Sequence, residues 1–390
     1  MVIHLVTRLP MGGATQLVYD ITKRMHASGQ DVLILTGLSN KQTSLSAWNN
    51  RVLTAVKEAG IPVEVCPHLQ HRISLPNDFR ALLWLVAKLK EHRPTVVHIH
   101  SSKAGILGRL AARLSGVERV VFHVHGWSFS SSKGLLRWFY LELEKAFDRI
   151  TPEYIFVSRQ DMLDFVQLGG DPSIERRSHV IYPGTDFGAL EAGKGRRREI
   201  RKAYGFEDHH HVIGSIGRLD YQKNPQLFVT IASQYAKLNH DARFAWIGEG
   251  VELDDVEQLI SDLGLGDRFT LMGFVEDVDA YYHVFDTFAL TSRYEGLPLA
   301  VIRALAAGTP VVEFLSNGMI DLDQQFRSVL GVPHGDIEGF VSQLEVARHM
   351  SSAERPMLEA ESRWVRENLN LDCMYEAIMN VYGLPAPVAS

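Results

Sequence analysis

Two kinds of segment alternate along the first half of the chain. Short runs rich in β-branched apolar residues are separated by stretches with helical periodicity, such as residues 16–29 and 78–92. The apolar runs are VIHLVTRL (2–9), DVLILTGL (31–38), TVVHIH (95–100), RVVFHVHG (119–126) and YIFVSR (154–159). Strands that are apolar on both faces and alternate with helices predict a doubly wound parallel sheet.

The second half repeats this pattern. Strand candidates cover 211–219, 242–250, 268–274, 286–292 and 309–314, with helical stretches at 225–238 and 251–265 between them. A second parallel sheet follows, and the glycine-rich, proline-containing and basic stretch at 179–206 marks the boundary. We predict an α/β chain of three parts: domain 1–185, domain 186–350 and a tail 351–390 with helices at 352–368 and 371–382.

Composition narrows the class of protein. With 390 residues the chain is too long for one ordinary core, and a net charge of -6 disfavours binding to duplex DNA. Two cysteines, Cys66 and Cys373, cannot build a disulfide framework. The first residues lack a signal-peptide pattern, and no apolar run approaches the ~20 residues of a membrane span. We expect a cytoplasmic protein that at most touches a membrane surface.

Doubly wound domains that face each other bind ligands in the cleft between them, at the carboxyl ends of their strands. After the first strand, MGGATQLVYD (11–20) opens a helix. Gly12 and Gly13 would let the backbone approach a ligand, and the helix N-terminus would offer free N–H groups to an anion. An ordinary turn is the alternative.

Histidines occur in pairs on two neighbouring strand candidates. His98 and His100 share one strand face, and His123 and His125 share another. A zinc site is one interpretation, and hydrogen-bonded histidines in a core or cleft are the other, favoured because no cysteine or carboxylate cluster accompanies them. His100 and His125 come last on their strands and are expected to face the cleft.

Two cations follow the first strand of the second half. Arg218 and Lys223 lie in GSIGRLDYQKNP (214–225), next to Gly217 and before a helix. Arginine can bind two oxygens at once while lysine supplies a point charge, so the pair suits a diphosphate. A solvated loop is the alternative.

The stretch SRYEGLPLAVIRALAAGTPVV (292–312) predicts a turn, an apolar helix that begins at Pro298, and a strand after Gly308. Arg303 is the one charge in that helix, and a buried charge needs a partner, for which Glu295 and Glu313 are candidates. We interpret the acids of 277–279 as a solvated helix start rather than a metal site.

Aromatic and basic residues combine in WSFSSSKGLLRWFY (127–140). Lys133 and Arg137 among these aromatics favour a peripheral membrane patch in one interpretation. In the other, the segment is an active-site loop followed by an ordinary amphipathic helix.

Taken together, the motifs resemble those of the family 4 glycosyltransferases of the GT-B fold, over residues 2–312. The motifs are GGA (12–14), RPTVVHIHSSKAGILGRLAA (93–112), VHGWSF (124–129), YPGTD (182–186), GRLDYQKN (217–224), IGEG (247–250), MGF (272–274) and EGLPL through GTPVV (295–312). The resemblance implies two Rossmann-like domains facing a cleft. It also implies retaining transfer of a hexose from a nucleotide-diphosphate donor, most often a UDP-sugar, to a hydroxyl of a glycan, lipid-linked glycan or small molecule. No catalytic metal and no cofactor are expected, and the last helix is expected to cross back to the first domain.

The resemblance also assigns roles to single residues. The expected catalytic residues are His125, Glu295, Arg218 and Lys223. Donor binding is expected of Gly12, Gly13, Gly217, Arg218, Lys223, Gly273, Phe274, Glu295, Gly296, Leu297, Leu299 and Arg303. Acceptor binding is expected of His100, Ser101, Lys103 and Trp127, with the loops at 39–50, 67–78 and 127–137.

Three departures from the family pattern lie on the donor side. Arg303 falls where the family has a second acid that holds the donor ribose, residues 313–325 replace a glycine-rich run, and Tyr182 stands at a hinge position that is often asparagine. Two other functions therefore stay open: a non-catalytic or altered-donor protein that binds a sugar nucleotide or a partner enzyme, and a nucleotide-sugar epimerase.

Overall fold

The computed structural model describes residues 1–10, 12–38 and 46–385, with the backbone alone for 46–50. The acceptor loop expected at 39–50 therefore lies outside the described residues up to position 45. The chain forms two compact units, Met1–Gly184 with Leu371–Ser390, and Thr185–Asn370. Residues 351–370, which the sequence analysis places in a separate tail, belong to the second unit.

Each unit contains one fully parallel sheet. The first has the order β3-β2-β1-β4-β5-β6-β7 and the second the order β10-β9-β8-β11-β12-β13. The strands of the first unit are β1 Val2–Val6, β2 Val32–Gly37, β3 Val63–Cys66, β4 Val96–His100, β5 Arg119–Val124, β6 Glu153–Phe156 and β7 Ser178–Val180. Those of the second unit are β8 His211–Ile216, β9 Ala242–Ile247, β10 Phe269–Gly273, β11 Thr287–Leu290, β12 Val311–Phe314 and β13 Val329–Val332.

Helices cover both faces of each sheet. They are α1 Gly13–Ala27, α2 Ser46–Glu58, α3 Leu75–His92, α4 Ser102–Ser115, α5 Gly134–Asp148, α6 Arg159–Gln167, α7 Gly188–Gly193, α8 Arg197–Ala203, α9 Pro225–Leu238, α10 Leu253–Asp262, α11 Leu299–Ala306, α12 Asn317–Gln325, α13 Ile337–Ala353, α14 Arg355–Asn368 and α15 Leu371–Tyr382. Short 3-10 helices lie at Pro172–Arg177, Lys194–Arg196 and Val278–His283. Among the described residues, none of these helices is both long and apolar enough to span a bilayer.

The prediction of two doubly wound parallel sheets is confirmed, because buried apolar strands alternate with helices as the pattern indicated. Since all strands of a sheet run the same way, their carboxyl ends share one edge of that sheet. In the first unit this edge carries His100 and His125. In the second it carries the loops at 217–224 and 291–298.

The last helix belongs to the first unit, as expected from the resemblance. The side chains of Tyr375, Ile378, Met379 and Tyr382 on α15 are fully buried in the core that also holds apolar residues of α1 and β1. The chain therefore closes the first unit with its own C-terminal segment.

Candidate functional site

A loop after β8 brings two cations and an acid together in the second unit. The Lys223 Nζ atom lies 2.6 Å from the Glu295 Oε1 atom, and their side chains are only 16% and 9% exposed. Arg218 contacts Asp220, with 2.7 Å between Nε and Oδ2, and stays partly exposed. The predicted phosphate-binding pair therefore sits at the carboxyl edge of the sheet, with one cation held by the predicted sugar-contacting acid.

Glycines allow the backbone around this loop to pack closely. Gly217 donates its N–H to the Ile247 carbonyl (3.0 Å) and accepts the indole N–H of Trp246 (2.9 Å). A Cβ on Gly248 would lie 2.1 Å from the Gly217 carbonyl oxygen, so only glycine fits there. Gly248 also donates to the carbonyl of Gly273, which has a φ of 63°. The loops after β8, β9 and β10 therefore hold one another in place.

The segment from Glu295 to α11 packs against Gly318, a residue that was not among the predicted site residues. Gly318, in the first turn of α12, approaches the Gly296 carbonyl so closely that a Cβ would lie 1.7 Å from its oxygen. Leu297 and Leu299 are buried beside it, and α11 begins one residue later than predicted, with Pro298 as its N-cap. The Asn317-Gly318 pair is the sequence signal that would have found this contact.

Arg303 has a different partner from those predicted. Its Nε atom lies 3.1 Å from the Asp279 Oδ1 atom, and its Nη2 atom donates to the Thr185 Oγ1 atom over 2.9 Å. The prediction of Glu295 or Glu313 was wrong, and so was the assignment of Asp279 to a solvated helix start, since its side chain is 17% exposed. Burial raises the pKa of Asp279, while the Arg303 charge opposes that rise.

Glu313 is buried without a partner. Its residue exposure is 0%, and neither carboxyl oxygen meets a hydrogen-bond donor among the described residues. Burial, with a contribution from the charges of Asp323 and Glu295, raises the pKa of Glu313 well above its ordinary value. Burial therefore favours the protonated, neutral form of this carboxyl group.

In the first unit, Gly12 and Gly13 lie at the start of α1 as expected. Gly12 is the N-cap in an extended conformation, and its carbonyl accepts the Gln16 N–H and the Thr15 hydroxyl, each over 2.9 Å. No side chain caps this helix N-terminus within the described residues. The arrangement is compatible with an anion, as the glycine pattern indicated.

Ser101 links β4 to α4 in a strained backbone conformation, with a φ of 67°. Its hydroxyl lies 2.8 Å from the Thr7 hydroxyl. Lys103, in the first turn of α4, pairs with Asp78 of α3 over 2.5 Å. Ser101 and Lys103, two of the four residues predicted to bind the acceptor, are therefore engaged with neighbouring segments of the first unit.

The histidine pairs form a connected cluster. Through its Nε2 atom, His125 contacts the Nδ1 atom of His100, and through its own Nε2 atom His100 contacts the Nδ1 atom of His4, each pair 3.1 Å apart. Burial lowers the pKa of His4 to about 3 and that of His125 to about 4, and it lowers the pKa of His100 well below its ordinary value. These three rings are neutral at physiological pH.

The cluster continues to the last helix. The phenol oxygen of Tyr382 lies 3.4 Å from the His4 Nε2 atom and 2.5 Å from the His98 Nδ1 atom. The Nε2 atom of His98 lies 3.1 Å from the His123 Nδ1 atom. Two triads, His4 with His98 and His100, and His100 with His123 and His125, also have ring nitrogens within 4.8 Å of one another, a spacing that a metal ion could use.

Trp127 is a core residue. It is 4% exposed, its indole N–H donates to the Asp161 carbonyl over 2.8 Å, and its ring stacks with Phe129 and Phe165. Because Trp127 has no exposed face for an acceptor, the prediction that it binds the acceptor was wrong. The following helix α5 instead exposes large apolar side chains, namely Leu135, Leu136, Trp138 and Phe139.

Fold and site together define the class of protein. Two doubly wound α/β units, each built on one parallel sheet, are the architecture of the GT-B fold, and the second carries paired cations at the carboxyl edge of its sheet. A model described as a glycosyl transferase 4-like domain matches residues 12–184, and one described as glycosyl transferases group 1 matches residues 196–352. The chain belongs to the family 4 glycosyltransferases, and it is an enzyme that transfers a sugar from a nucleotide-sugar donor.

Named relatives agree with this family. The UDP-Gal:alpha-D-GlcNAc-diphosphoundecaprenol alpha-1,3-galactosyltransferase of Escherichia coli is 33% identical over 285 residues, covering 71% of this chain and 72% of that protein. The alpha-D-kanosaminyltransferase of Streptomyces kanamyceticus is 26% identical over 274 residues, covering 65% of this chain and 68% of that protein.

Solved structures show the same fold. The Anabaena protein HepE in complex with UDP superposes with a TM-score of 0.79 at 19% identity, covering 98% of this chain and 99% of that one. WaaG, a glycosyltransferase involved in lipopolysaccharide biosynthesis, superposes with a TM-score of 0.68 at 17% identity, covering 99% and 100%.

Proposed function

We propose that this enzyme transfers a hexose from a UDP-sugar to a hydroxyl of a lipid-linked glycan, with retention of configuration and without a catalytic metal. The observation that carries the proposal is the ion pair of Lys223 with Glu295 beside Arg218. A diphosphate placed at this loop would take the lysine and arginine as its counter-charges. Glu295 would then be free to accept hydrogen bonds from sugar hydroxyl groups.

The positive charges of Arg218 and Lys223 would take the place of a metal ion at this site. When the bond between the sugar and the diphosphate breaks, negative charge grows on the leaving phosphate. Two fixed cations stabilise that charge, as a divalent metal does in other phosphate-transfer sites. The family resemblance implies that His125, a neutral imidazole, contacts a hydroxyl of the donor sugar.

The choice of donor and acceptor rests on the relatives. The Escherichia coli relative is named for UDP-Gal as donor and a diphosphoundecaprenol-linked GlcNAc as acceptor. HepE was crystallised with UDP and with UDP-glucose. We therefore propose a UDP-hexose as donor and a polyprenyl diphosphate-linked sugar as the first acceptor to test.

A donor panel tests this proposal. UDP-hexoses should raise the melting temperature and release UDP in the presence of acceptor, with equal rates with and without EDTA. The anomeric configuration of the product, measured by NMR, should match that of the donor. Arg218→Gln and Lys223→Gln should each lower kcat/KM by about 10²–10³-fold, the effect of one lost charge-stabilising group. Lys237→Gln, which removes an exposed lysine in α9, serves as the control.

Other outcomes would identify the alternatives. Tight donor binding without transfer to any acceptor would favour a non-catalytic role, which Arg303 and the altered segment 313–325 suggested. Loss of activity with EDTA would refute the metal-free mechanism alone. A donor with changed sugar stereochemistry in the absence of acceptor would indicate an epimerase.

We further propose that α5 contacts the membrane that holds the acceptor. Leu135 is 86% exposed, and Trp138 and Phe139 are each at least half exposed. Large exposed apolar patches on soluble domains mark interaction surfaces. Leu135→Glu with Trp138→Glu should abolish co-sedimentation with anionic vesicles, while Leu238→Glu, which removes an exposed leucine of the second unit, should not. Unchanged co-sedimentation of the double variant would refute the contact.

A further inference from the structure

Five buried side chains of the first unit and the partly exposed His125 form one unbranched path of hydrogen bonds. It starts at His125, which directly follows β5 at the carboxyl edge of the first sheet, and ends at His123, two residues earlier in β5. Four of the contacts are between 2.5 and 3.1 Å, and the fifth is 3.4 Å. In order, its members are His125, His100, His4, Tyr382, His98 and His123.

Every member is uncharged. Burial lowers the pKa of each imidazole well below its ordinary value, and burial raises that of the Tyr382 phenol. A neutral imidazole has one N–H donor and one lone pair, and a phenol has one O–H donor. Each link therefore needs one donor and one acceptor. The Tyr382 oxygen could accept at both of its links, but its own O–H would then be buried without an acceptor among the described residues. Tyr382 therefore donates at one link and accepts at the other, so all links point the same way. Only two arrangements of protons satisfy the whole path.

The two arrangements differ at the far end. If protons point toward His123, that ring must carry its proton on Nε2. If they point toward His125, the His123 Nε2 atom holds only a lone pair. This atom is fully buried and has no partner among the described residues. Unpaired buried N–H groups are rarer in proteins than unpaired acceptors, which favours the second arrangement.

We infer that the path is oriented toward His125, so that His125 presents an Nδ1–H donor to the substrate and no free lone pair. Its Nε2 atom is occupied by the proton of His100. The only imidazole lone pair of the path that is left free is then at the buried end, on His123. His125 would donate a hydrogen bond to a sugar or phosphate oxygen and could not act as a base, while His123, His98, His4 and Tyr382 act as positioning residues.

The middle of the path is anchored to the strand that carries both ends. Arg119, at the start of β5, donates a hydrogen bond to the Tyr382 carbonyl. Tyr382 lies in the last turn of α15 and is 1% exposed. The C-terminal helix therefore supplies the link without which His98 and His123 would be separated from His4, His100 and His125.

The tautomer of His125 can be read directly by ¹⁵N NMR of histidine-labelled protein, without substrate. This readout does not depend on the proposed function, on which only the catalytic consequence rests. Wild-type protein should show a single Nδ1–H tautomer for His125. An Nε2–H tautomer in the wild-type protein overturns the inference, whatever the enzyme transfers.

A matched pair of substitutions at the far end tests the control of orientation. Asparagine can donate to the His98 Nε2 atom, as His123 does in the inferred arrangement, whereas an aspartate carboxylate can only accept. His123→Asn should therefore keep the Nδ1–H tautomer of His125. His123→Asp should reverse every link, give the Nε2–H tautomer and lower kcat/KM by about tenfold, the effect of one lost hydrogen bond. A folded His123→Asp protein that retains the Nδ1–H tautomer overturns the inference.

Two controls separate this role from packing and from metal binding. Tyr375→Phe removes a buried phenol from the same helix, where it donates to Gln30 over 3.2 Å outside the path, and it should leave the His125 signals unchanged. Elemental analysis should find no stoichiometric zinc, cobalt or copper in the purified protein. A bound metal that is lost in His98→Gln would overturn the path in favour of a histidine metal centre.

Discussion

At the scale of single residues, Glu313 makes stability depend on pH. Its pKa lies at 4.5 in the unfolded chain and well above that value in the fold, because burial disfavours the carboxylate. As pH rises above about 4.5, the unfolded state loses this proton while the folded state keeps it. The free energy of unfolding therefore falls, by up to about 1.4 kcal/mol per pH unit, until the folded pKa is reached.

Glu313→Gln should remove this dependence, because glutamine stays neutral. We expect the variant and the wild-type protein to have similar melting temperatures near pH 4, and the variant to become the more stable as pH rises toward 8. Scanning calorimetry across this range measures the difference. Glu257→Gln, at an exposed position of α10, should not alter the pH profile. Parallel profiles for wild type and Glu313→Gln would contradict an acid that is protonated in the fold.

Arg303 offers a second test at this scale. Arg303→Met leaves the partly buried Asp279 without its counter-charge, so we expect a loss of about 1–2 kcal/mol of stability, as for a buried pair discounted for partial exposure. Adding Asp279→Asn should recover part of that loss. Asp277→Asn, at an exposed ion pair with Arg196, should change stability by less than about 0.5 kcal/mol. If Arg303→Met were as stable as wild type but bound a different donor, the arginine would act on the donor instead.

The sequence predicted that Arg303 has a partner, but it could not predict which residue the partner is. The apolar helix around Arg303 correctly indicated a buried charge that needs a partner. Asp279 lies in a 3-10 helix 24 positions earlier, and only the packing of that helix against α11 brings the two together. Likewise, paired histidines on two strands were evident, but the links through His4 and Tyr382 depend on which strand is central and where the last helix returns.

At the scale of elements, helix α4 lies unusually close to the first sheet. A Cβ on Gly105 would lie 2.7 Å and 2.8 Å from two atoms of the Phe122 ring, and one on Gly108 would lie 2.4 Å from a Leu5 methyl group. The Phe122 ring has little room to move away from α4, because it is buried and packs edge-on against Trp127 and Tyr154. The glycines of this helix are therefore required by packing.

Gly105→Ala should destabilise the protein by up to about 2 kcal/mol, because an overpacking cost of about 1–3 kcal/mol exceeds a helix-propensity gain of ~1 kcal/mol. Gly195→Ala is the control, since a Cβ there meets nothing within 4 Å. Urea unfolding of both variants gives the comparison. A Gly105→Ala protein more stable than wild type would show that α4 can move away from the sheet.

Strands could be predicted from the sequence where their burial on both faces requires a continuous run of apolar residues. Ten strands have apolar residues on both faces, and the sequence analysis located all of them. Three strands, β3, β7 and β13, were not predicted, for physical reasons visible in their residues: β3 is only half-buried, and β7 and β13 are strands of three and four residues at sheet edges. Short edge strands are held mainly by backbone hydrogen bonds, which leave no mark on side-chain composition.

At the scale of the whole molecule, the first unit is completed only by the end of the chain. Helix α15 buries Tyr375, Ile378, Met379 and Tyr382 in a core that includes residues of β1 and α1, more than 340 positions earlier, and Arg24 pairs with Asp372 at its start. Burial of four large side chains contributes on the order of 6–12 kcal/mol, comparable to the whole stability of a domain. The second unit contains none of these contacts.

A chain truncated after Asn370 should therefore lose the first unit and keep the second. We expect scanning calorimetry of the truncated chain to show the transition of the second unit alone, and limited proteolysis to leave a resistant fragment near residues 185–370. The single variant Tyr382→Ala should weaken only the first transition, whereas Phe340→Ala, in the core of the second unit, should weaken only the other. Two unchanged transitions in the truncated chain would mean that the first sheet is stable without its C-terminal helix, and the buried phenol of Tyr382 could then be replaced without cost to folding.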